Sequence, residues 1–436
     1  MVENVLIIGG GVAGIQAALD LADRGLQVYI VEKEPSIGGT MALLDKTFPT
    51  NDCSICILAP KMNDCAQHPN IEILDFSEVI ELVGEPGDFQ VTIRRKARYV
   101  DPDKCNGCGV CFEVCPVHLP NKFDQNMAPI GAIYKPFPQA VPNLAIIDRE
   151  HCIDCGLCKK YCEAEAINFE DEDKEVVLNV GALIVATGLT VRRPQELKEY
   201  GYGKYLNVYT GMEYERLICA AGPTHGHLQS APDNRRPKKL AIIQCVGIRD
   251  TRTDCPYCAS VCCMYATKSA MLAFEHYDDI ESYIFYTDLR VFSKISYEYT
   301  QRAEAEYNVT YINAKPGRIR EDHETRNLII PYVDDTSPKV KELEVEMVIL
   351  SMAIEPAEGT KELARVLGID TDKYGFIRVP DPDMRPVDTS REGVFVAGYC
   401  EGPKDITESV AQASGAAAKA AEIIAQYRTT SVWRDV

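Results

Sequence analysis

Residues 5–32, VLIIGGGVAGIQAALDLADRGLQVYIVE, decide the fold of this chain. The apolar run 5–8 predicts a buried strand, the pattern over 12–23 predicts a helix, and 27–31 predicts a second strand. Spaced glycines separate the first strand from the helix. In dinucleotide-binding proteins the backbone contacts the pyrophosphate at this turn. These residues therefore predict a dinucleotide-binding βαβ unit.

The glycines of this GxGxxG pattern have separate tasks. Gly9 permits the tight turn, Gly11 lets the pyrophosphate approach the backbone, and Gly14 lets the helix pack closely on the strand. Glu32, at the end of the second strand, can accept hydrogen bonds from ribose hydroxyls and disfavours the 2′-phosphate of NADP. Gly39, in a downstream glycine pair, belongs to the same predicted site. The alternative, a glycine-rich turn that binds nothing, suits this context poorly.

Two later segments favour FAD over NAD as the dinucleotide. Residues 183–188, LIVATG, resemble the second signature of flavoproteins with two dinucleotide-binding domains, and residues 393–398, GVFVAG, resemble their C-terminal signature. The first of these segments adds Ala186, Thr187 and Gly188 to the predicted FAD site.

The C-terminal signature departs from the usual pattern at one position. An Asp that binds the flavin normally follows the last glycine, whereas here Tyr399 follows Gly398. Because the acid is missing, backbone amides around Gly398 and the N-terminus of the helix after Asp405 are expected to substitute for it. Gly398 and Tyr399 are therefore counted among the cofactor-binding residues.

The segment 98–170 is rich in Cys and Pro and interrupts the α/β pattern. The spacing Cys-x2-Cys-x2-Cys-x3-Cys occurs in it twice, as in two-cluster bacterial ferredoxins, where the fourth Cys of each run ligates the other 4Fe-4S cluster. The expected ligand sets are Cys105, Cys108, Cys111 and Cys162 for one cluster, and Cys152, Cys155, Cys158 and Cys115 for the other. Zinc knuckles and buried structural thiols are the weaker alternatives, because neither needs two identical runs.

Two further cysteine groups leave alternatives open. One group surrounds the end of a later predicted strand and comprises Cys245, Cys258, Cys262 and Cys263, with Cys255 nearby. Its spacing is compatible with a third 4Fe-4S cluster, a redox-active disulfide or inert buried thiols, and favours a metal slightly over the disulfide. The second group, Cys53-x2-Cys56, matches either a redox dithiol or half of a metal site completed from elsewhere.

The later half of the chain predicts a second α/β domain that has lost its nicotinamide fingerprint. Residues 240–250, LAIIQCVGIRD, end a predicted strand with a single glycine, so the pyrophosphate turn is missing. This argues against an independent pyridine-nucleotide disulfide reductase. The predicted domains are a first FAD-binding segment (1–97), an inserted ferredoxin-like domain (98–170), a second FAD-binding segment with a linker (171–235), a degenerate nicotinamide-type domain (236–350) and a C-terminal FAD-binding segment (351–436).

Composition narrows the function classes. The chain has 436 residues, more than the about 100–200 of one domain, and a net charge of −19 that disfavours nucleic acids and anionic membranes. No run of about 18 apolar residues predicts a membrane span, and the N-terminus lacks signal-peptide features, so a cytoplasmic location is expected. The 18 cysteines in such a chain indicate metal or redox chemistry instead of disulfide scaffolding.

Six longer segments together resemble the A subunit of heterodisulfide reductase, and the resemblance extends over nearly the whole chain. They are TFPTNDCSICILAPKM (47–62), CNGCGVCFEVCPVHLPNKFD (105–124), AIYKPFPQAVPN (132–143), CVGIRD (245–250), YCASVCCMYATKSA (257–270) and GVFVAGYCEGPKDITESVAQAS (393–414). The resemblance implies an α/β fold of two dinucleotide-type domains, like that of thioredoxin reductase, around FAD with a ferredoxin insertion. It also implies that Cys245, Cys258, Cys262 and Cys263 bind a 4Fe-4S cluster near the flavin.

The resemblance further implies an oxidoreductase subunit that transfers electrons in anaerobic metabolism and splits electron pairs at the flavin (bifurcation). Its implied partners are heterodisulfide reductase B- and C-like subunits and a hydrogenase, formate dehydrogenase or NADH-oxidising module, with a homodimer inside the larger complex. The alternative is the flavoprotein subunit of a quinone-interacting oxidoreductase complex, which passes electrons without bifurcation.

The chain is expected to be a short form of this family. The flavoprotein begins at residue 3 and stops soon after its last helix, so the N-terminal domain and C-terminal ferredoxin domain of the long form are not expected. Those extensions carry electrons in and out, so separate subunits would supply the corresponding clusters. Under this expectation a partner protein would complete the half-site at Cys53 and Cys56.

Overall fold

The computed structural model describes residues 3–192 and 197–432, with side chains up to residue 427. The chain divides into two units. The first unit comprises Met1–Ala42, Ile55–Leu189 and Pro356–Val436, and the second comprises Leu43–Ser54 and Thr190–Glu355. The chain therefore passes out of the first unit and returns to it twice.

Within the described ranges the strands, numbered in chain order, are β1 (Asn4–Ile8), β2 (Gln27–Val31), β3 (Ile71–Leu74), β4 (Ser77–Glu85), β5 (Asp88–Arg95), β6 (Leu119–Pro120), β7 (Pro129–Ile130), β8 (Ile133–Tyr134), β9 (Ile146–Ile147), β10 (Lys174–Val180), β11 (Ala182–Val185), β12 (Leu189–Val191), β13 (Val208–Thr210), β14 (Lys239–Val246), β15 (Glu281–Tyr286), β16 (Val309–Asn313), β17 (Arg320–Glu321), β18 (Leu328–Asp334), β19 (Ser337–Val345), β20 (Met347–Met352), β21 (Ile354–Pro356) and β22 (Val394–Val396).

The α-helices of the same ranges are α1 (Val12–Ala22), α2 (Ser54–Gln67), α3 (Val110–Glu113), α4 (Leu157–Tyr161), α5 (Gly211–Ile218), α6 (Cys262–His276), α7 (Lys294–Glu306), α8 (Thr360–Leu367) and α9 (Ile406–Val432). Short 3-10 helices span Gly39–Leu43, Lys198–Tyr200 and Thr251–Thr253. In the residues that the structure describes, no helix combines the length and apolar character needed to cross a lipid bilayer.

A five-stranded parallel sheet organises the first unit, in the order β22-β11-β1-β2-β3. The alanine-rich faces of α1 and α9 pack on one side of it. The antiparallel sheet β10-β5-β4 and α8 cover the other side. Because all five central strands run in one direction, their carboxyl ends share one edge of the sheet. The predicted βαβ unit is present as β1, α1 and β2.

The cysteine-rich insertion lies between β5 and β10 and contains the short pairs β6–β7 and β8–β9 with α3 and α4. Its small buried core consists of Val100, Ile133, Ala145, Ile147, Cys158, Ala166 and Ile167. Buried Arg98 forms an ion pair with Asp75 and donates hydrogen bonds to the carbonyls of Pro35 (3.2 Å) and Ala145 (3.3 Å). Desolvation lowers the pKa of Arg98 to about 10. This side chain ties the insertion to the rest of the first unit.

A second five-stranded parallel sheet organises the second unit, in the order β13-β20-β14-β15-β16. The antiparallel sheet β17-β18-β19 contributes to the same core as the central strands. Strand β14 shifts register against β20 between Ile243 and Val246, and Cys245 there has a φ of 59°. This irregularity lies at the strand end where a nicotinamide-binding domain would turn on glycines.

The unit boundaries differ from the predicted domains. The long segment of the second unit begins at Thr190, well before the predicted start at 236, and β13 within that segment pairs with β20. It also includes Leu43–Ser54, which the sequence assigned to the first FAD-binding segment. Polar side chains of the second unit hold this stretch by its carbonyls: Arg216 donates to Leu43 O (3.1 Å) and Lys268 to Lys46 O (2.9 Å).

Candidate functional site

Four predicted cofactor-binding segments meet at one edge of the first-unit sheet. Gly9 follows β1 and Glu32 follows β2, while Ala186 follows β11 and Gly398 comes soon after β22. These strands are parallel neighbours, so their ends lie side by side. Ligands of doubly wound sheets bind in the crevice at such an edge. The fold thus brings together segments that lie almost 400 residues apart in the sequence.

The glycine turn is tightly packed on its protein side and open on its other side. A Cβ at Gly9 would lie 2.3 Å from Ala186 O, and one at Gly14 would lie 1.9 Å from Gly9 O. In contrast, the nearest atom to a Cβ at Gly11 is the Cα of Gly39, 4.0 Å away. Helix α1 starts there with no acidic residue in its first turn, so its positive end is available to a pyrophosphate.

Glu32 has a role that the sequence did not predict. Its buried carboxylate accepts hydrogen bonds from the backbone amides of Gly10 (2.7 Å) and Glu34 (2.9 Å). Burial raises the pKa of Glu32, and these two amides oppose the rise. The carboxylate therefore fixes the glycine turn, and each of its oxygens retains a lone pair for a ribose hydroxyl.

The segment after β11 is held by hydrogen bonds at Ala186 and has empty space beside Gly188. The amide of Ala186 donates to Ile8 O (2.8 Å), and the hydroxyls of Thr187 and Thr360 lie 3.2 Å apart. Gly188 has a φ of 74°, and no atom lies within 4 Å of the position of its missing Cβ. This segment can therefore approach a bound group closely.

The contacts at the C-terminal signature differ from the expected ones. The amide of Gly398 donates to Gln412 Oε1 (2.9 Å), and Tyr399 is buried. At the start of α9, Asp405 Oδ1 accepts from the Glu408 amide (2.8 Å), and Glu408 Oε2 accepts from the Asp405 amide (2.9 Å). Two carboxylates cap this helix end, which makes it unfavourable for a phosphate. The start of α9 is therefore a poor replacement for the missing flavin-binding Asp, and the role of the backbone amides around Gly398 stays a prediction.

The ferredoxin cysteines line two cavities. One cavity is lined by Cys105, Cys108, Cys111 and Cys162, and the other is lined by Cys115, Cys152, Cys155 and Cys158. These are the two crossed sets that the ligation rule specifies. Among the described residues, no group of three or more His, Cys, Asp or Glu side chains is arranged to bind a single metal ion. A 4Fe-4S cube needs wider spacing, because each thiolate binds a different iron.

Local backbone geometry builds these cavities. Gly109 (φ 87°) and Gly156 (φ 72°) occupy left-handed conformations directly before α3 and α4, which lets the cysteine loops turn sharply. The Ala166 amide donates to Cys162 Sγ at 3.4 Å. Burial raises the pKa of Cys111 to about 12, so without a metal this side chain is a thiol at neutral pH. Bound iron would supply the charge that stabilises its thiolate.

The second-unit cysteine site is the set Cys245, Cys258, Cys262 and Cys263. The irregularity of β14 reorients Cys245, while Cys262 and Cys263 open α6. Burial raises the pKa of Cys262, and the charges of Cys263, Cys245 and Cys258 add to this rise, so the four thiols lie within electrostatic reach of one another. No acidic residue occupies the first turn of α6, so its positive end favours anionic sulfur ligands.

Backbone amides also point at this site. The Ser260 amide donates to Cys258 Sγ and the Arg290 amide donates to Cys263 Sγ, both at 3.4 Å. Burial raises the pKa of Cys263 to about 11, and the Arg290 amide opposes that rise. Hydrogen bonds of this kind stabilise thiolate and cluster sulfur. The geometry therefore suits a 4Fe-4S cluster.

The neighbouring Cys255 has different partners. Its Sγ lies 3.3 Å from Glu355 Oε1 and 3.7 Å from the guanidinium Nη1 of Arg192, and it contacts the Tyr257 hydroxyl. These contacts set Cys255 apart from the second-unit cysteine site.

Cys53 and Cys56 are disulfide-bonded, and the other cysteines are free thiols. A disulfide sulfur is not a thiolate, so the predicted metal-ligand role of Cys53 and Cys56 is not available in this form. Of the two sequence interpretations, this state corresponds to the redox dithiol. Cys65 lies nine residues beyond Cys56 on α2, a rise of about 13.5 Å, and is fully buried. Cys65 is therefore too far from the Cys53–Cys56 disulfide to take part in the same redox site.

Sequence reasoning did not single out Arg249 and Arg290, which accompany the second-unit cysteine site. Arg249 follows Cys245 by four residues within the segment 245–250, and that proximity was the one available signal. Arg290 follows β15 and reaches the site only through the tertiary fold.

Two families match stretches of the chain. The family described as FAD dependent oxidoreductase matches residues 4–46, which contain the glycine turn. The family described as 4Fe-4S binding domain matches residues 98–119 and 145–168, which contain the eight ferredoxin cysteines. Both matches agree with the cofactor types predicted from these segments.

The fold is similar to that of thioredoxin reductase from Lactococcus lactis. The two structures align with a TM-score of 0.52 and 17% identity, over 97% of this chain and 99% of that chain. At this identity the likeness concerns the fold alone. It confirms the predicted α/β architecture with two dinucleotide-type domains.

Curated relatives match nearly the whole chain. The chain is 52% identical over 423 residues to an iron-sulfur A subunit of the CoB–CoM heterodisulfide reductase of Methanopyrus kandleri, covering 97% of this chain and 64% of the relative. It is 48% identical over 419 residues to the A subunit of the H(2):CoB-CoM heterodisulfide,ferredoxin reductase of Methanothermobacter thermautotrophicus, covering 96% and 63%. The chain thus spans less than two thirds of the length of either relative. Along almost all of its own length, this chain is therefore similar to the A subunits of heterodisulfide reductase.

Proposed function

We propose that this chain is the FAD- and 4Fe-4S-containing electron-transfer subunit of a heterodisulfide-reductase-like oxidoreductase complex. The observation that carries the proposal is the first unit itself, in which a dinucleotide-type glycine turn and two cysteine-lined cavities belong to one fold. Bound together, FAD and the clusters supply the exchange between paired and single electrons. The names of the relatives support the assignment to heterodisulfide chemistry.

The residues at the first-unit sheet edge bind the cofactor in this proposal. The open face of Gly11 and the free start of α1 receive the pyrophosphate. Glu32 keeps the turn in position through the Gly10 amide and offers its remaining lone pairs to the ribose. Gly188 lets the backbone approach the flavin side closely, because nothing occupies the space beside its Cα.

The cysteines divide into three ligand sets. The two cavities of the insertion hold one 4Fe-4S cluster each, with Cys115 and Cys162 exchanged between the two runs. The second-unit cysteine site holds a third cluster. Its four clustered thiols, its two N–H···S hydrogen bonds and the positive end of α6 support this assignment.

The similarity to heterodisulfide reductase A subunits supports a proposal for the physiological setting. We infer that the chain works in the cytoplasm as a homodimer within a larger complex that includes heterodisulfide reductase B- and C-like subunits. A hydrogenase, formate dehydrogenase or NADH-oxidising module would deliver the electrons. The name of the Methanothermobacter relative joins hydrogen, a heterodisulfide and ferredoxin, which supports splitting of electron pairs between two acceptors at the FAD.

Anaerobic copurification of the tagged chain from its own host tests this proposal. Recovery of cysteine-rich B- and C-like subunits is the expected result. Recovery of a membrane cytochrome in their place would favour a quinone-interacting complex. In the isolated complex, bifurcation requires that reduction of a low-potential ferredoxin depend on a heterodisulfide acceptor being present. Ferredoxin reduction at the same rate without that acceptor would contradict bifurcation.

A further inference from the structure

Two buried guanidinium nitrogens near the second-unit cysteine site have no hydrogen-bond partner within the described residues. They are Nη1 of Arg249 and Nε of Arg290. Folded proteins seldom leave such donors unpaired, because a buried cationic N–H loses its hydration without compensation. The Nη2 atoms of both arginines pair with Asp288, so among the described residues these two other nitrogens remain free to donate to a further anionic group.

The segment that carries Asp288 and Arg290 contacts the cysteine site, because Cys263 Sγ lies 3.9 Å from Asp288 O and 3.4 Å from the Arg290 amide nitrogen. Burial raises the pKa of Cys245, and the adjacent Arg249 guanidinium opposes this rise. The same guanidinium also opposes the burial effect on Cys263, whose Sγ accepts the backbone amide of Arg290 at 3.4 Å. Lys315 adds a further positive charge that acts on Cys245. The electrostatic surroundings of this site are thus cationic, in a chain with a net charge of −19.

One carboxylate holds the two guanidinium groups in place. Asp288 Oδ2 lies 2.7 Å from Arg290 Nη2 and 3.6 Å from Arg249 Nη2. The Asp288 side chain is 48% exposed, so solvent screens its charge more than it screens the buried N–H groups. We call Arg249, Arg290 and Asp288 the arginine clamp.

We propose that the arginine clamp raises the reduction potential of a 4Fe-4S cluster held by the second-unit cysteine site. This inference rests on the third cluster of the proposed function. Reduction adds one negative charge to the cluster, and charge-assisted hydrogen bonds from guanidinium groups stabilise the more negative state. Hydrogen bonds and charges around the sulfurs are known determinants of cluster potential. The clamp thereby makes this cluster a better electron acceptor.

The test compares Arg249→Gln and Arg290→Gln with the unaltered chain, purified anaerobically with its clusters. An EPR-monitored redox titration gives the midpoint potential of the cluster that is lost in Cys258→Ser. At a fixed solution potential we expect each Gln variant to lower the reduced-to-oxidised ratio at least tenfold, which is about 59 mV for a one-electron couple. Arg249→Lys retains the charge and should recover a large part of this shift.

Arg236→Gln provides a matched control. Arg236 also pairs with a carboxylate, Asp279, and the two side chains are 42% and 47% exposed. It precedes β14, whereas Cys245 lies near the carboxyl end of that strand. The same loss of charge at the opposite end of the strand should leave the midpoint potential unchanged.

Fully loaded Gln variants whose midpoint potentials equal that of the unaltered chain would overturn the clamp. If one of the two Gln substitutions prevents cluster loading, the midpoint potential of the other Gln variant decides whether the clamp raises the reduction potential. A different outcome bears on the proposed function: equal iron content in Cys258→Ser and the unaltered chain would show that no third cluster exists. The failure of the clamp and the failure of the third cluster are therefore distinguishable.

Discussion

Gly14 is the residue of the FAD turn whose substitution has the clearest steric consequence. A Cβ at this position would lie 1.9 Å from the carbonyl oxygen of Gly9, so Gly14→Ala must displace helix α1 from strand β1. Overpacking of this kind costs about 1–3 kcal/mol, and here the displacement falls on the pyrophosphate-binding turn. We expect at least a tenfold loss of FAD affinity, measured by equilibrium titration of the deflavinated chain.

Gly317→Ala is the matching control for this substitution. No atom lies within 4 Å of the position of a Cβ at Gly317, so the same added methyl group meets open space. FAD affinity should remain that of the unaltered chain. Equal affinity in the Gly14 and Gly317 variants would contradict the location of the FAD turn.

A buried ion pair inside the second unit supports the helix that carries two of the proposed cluster ligands. Lys268 of α6 pairs with Glu215 of α5, and these side chains are only 1% and 5% exposed. Lys268→Met leaves a buried carboxylate without its cation, which costs about 3–5 kcal/mol. We expect a loss of this size in the free energy of unfolding of the second unit, followed by urea denaturation.

The pair Lys46–Glu275 gives the comparison for this prediction. Its two side chains are 30% and 29% exposed, and such solvent-accessible pairs contribute about 0–1 kcal/mol. Lys46→Met should therefore have a small effect. An equally small effect of Lys268→Met would show that water reaches Glu215.

Residues in local motifs could be predicted from the sequence, whereas residues that act through tertiary contacts could not. Gly9, Gly11 and Gly14 are recognisable because their spacing and the flanking strand and helix are contained in one short segment. Arg290 joins the second-unit cysteine site from a different βα connection, so no spacing links it to Cys245. The hydrogen bonds that occupy the Glu32 carboxylate likewise depend on the folded turn.

At the scale of elements, the two cysteine runs of the insertion exchange their fourth members. Cys162 lines the cavity of Cys105, Cys108 and Cys111, although it follows Cys158 in the chain. Cys162→Ser should therefore alter the cluster of the first run. We expect its EPR spectrum in the reduced state to match that of Cys108→Ser and to differ from that of Cys155→Ser.

The reciprocal substitution provides the control for the exchange. Cys115 lines the other cavity, so Cys115→Ser should give the spectrum of Cys155→Ser. If each fourth cysteine instead affected the cluster of its own run, the two matches would be reversed, and the crossed arrangement would be wrong.

Strand β14 shows which features of an element could be predicted from the sequence and which could not. Its apolar residues identified a buried parallel strand, whereas the degenerate turn inferred from the missing glycines stays a prediction. The shift in register that places Cys245 at a φ of 59° depends on pairing with β20, about one hundred residues later. A pattern within one strand contains no information about that pairing.

At the scale of the whole molecule, the chain consists of two units built on parallel sheets. The sequence predicted the insertion and the return to the first sheet, because each later strand ends in a recognisable signature. It did not assign Leu43–Ser54 to the second unit, because the contacts that hold this segment come from Arg216 and Lys268, far along the chain. Long-range hydrogen bonds of this kind have no local sequence pattern.

The central claim, one FAD and three clusters on this chain, is tested most directly by its iron and flavin content after anaerobic purification. We predict about one FAD and about twelve irons per chain, four for each 4Fe-4S cluster, and a loss of about four irons in Cys258→Ser. A chain that carries no FAD, or that holds only about eight irons with or without Cys258, would contradict it.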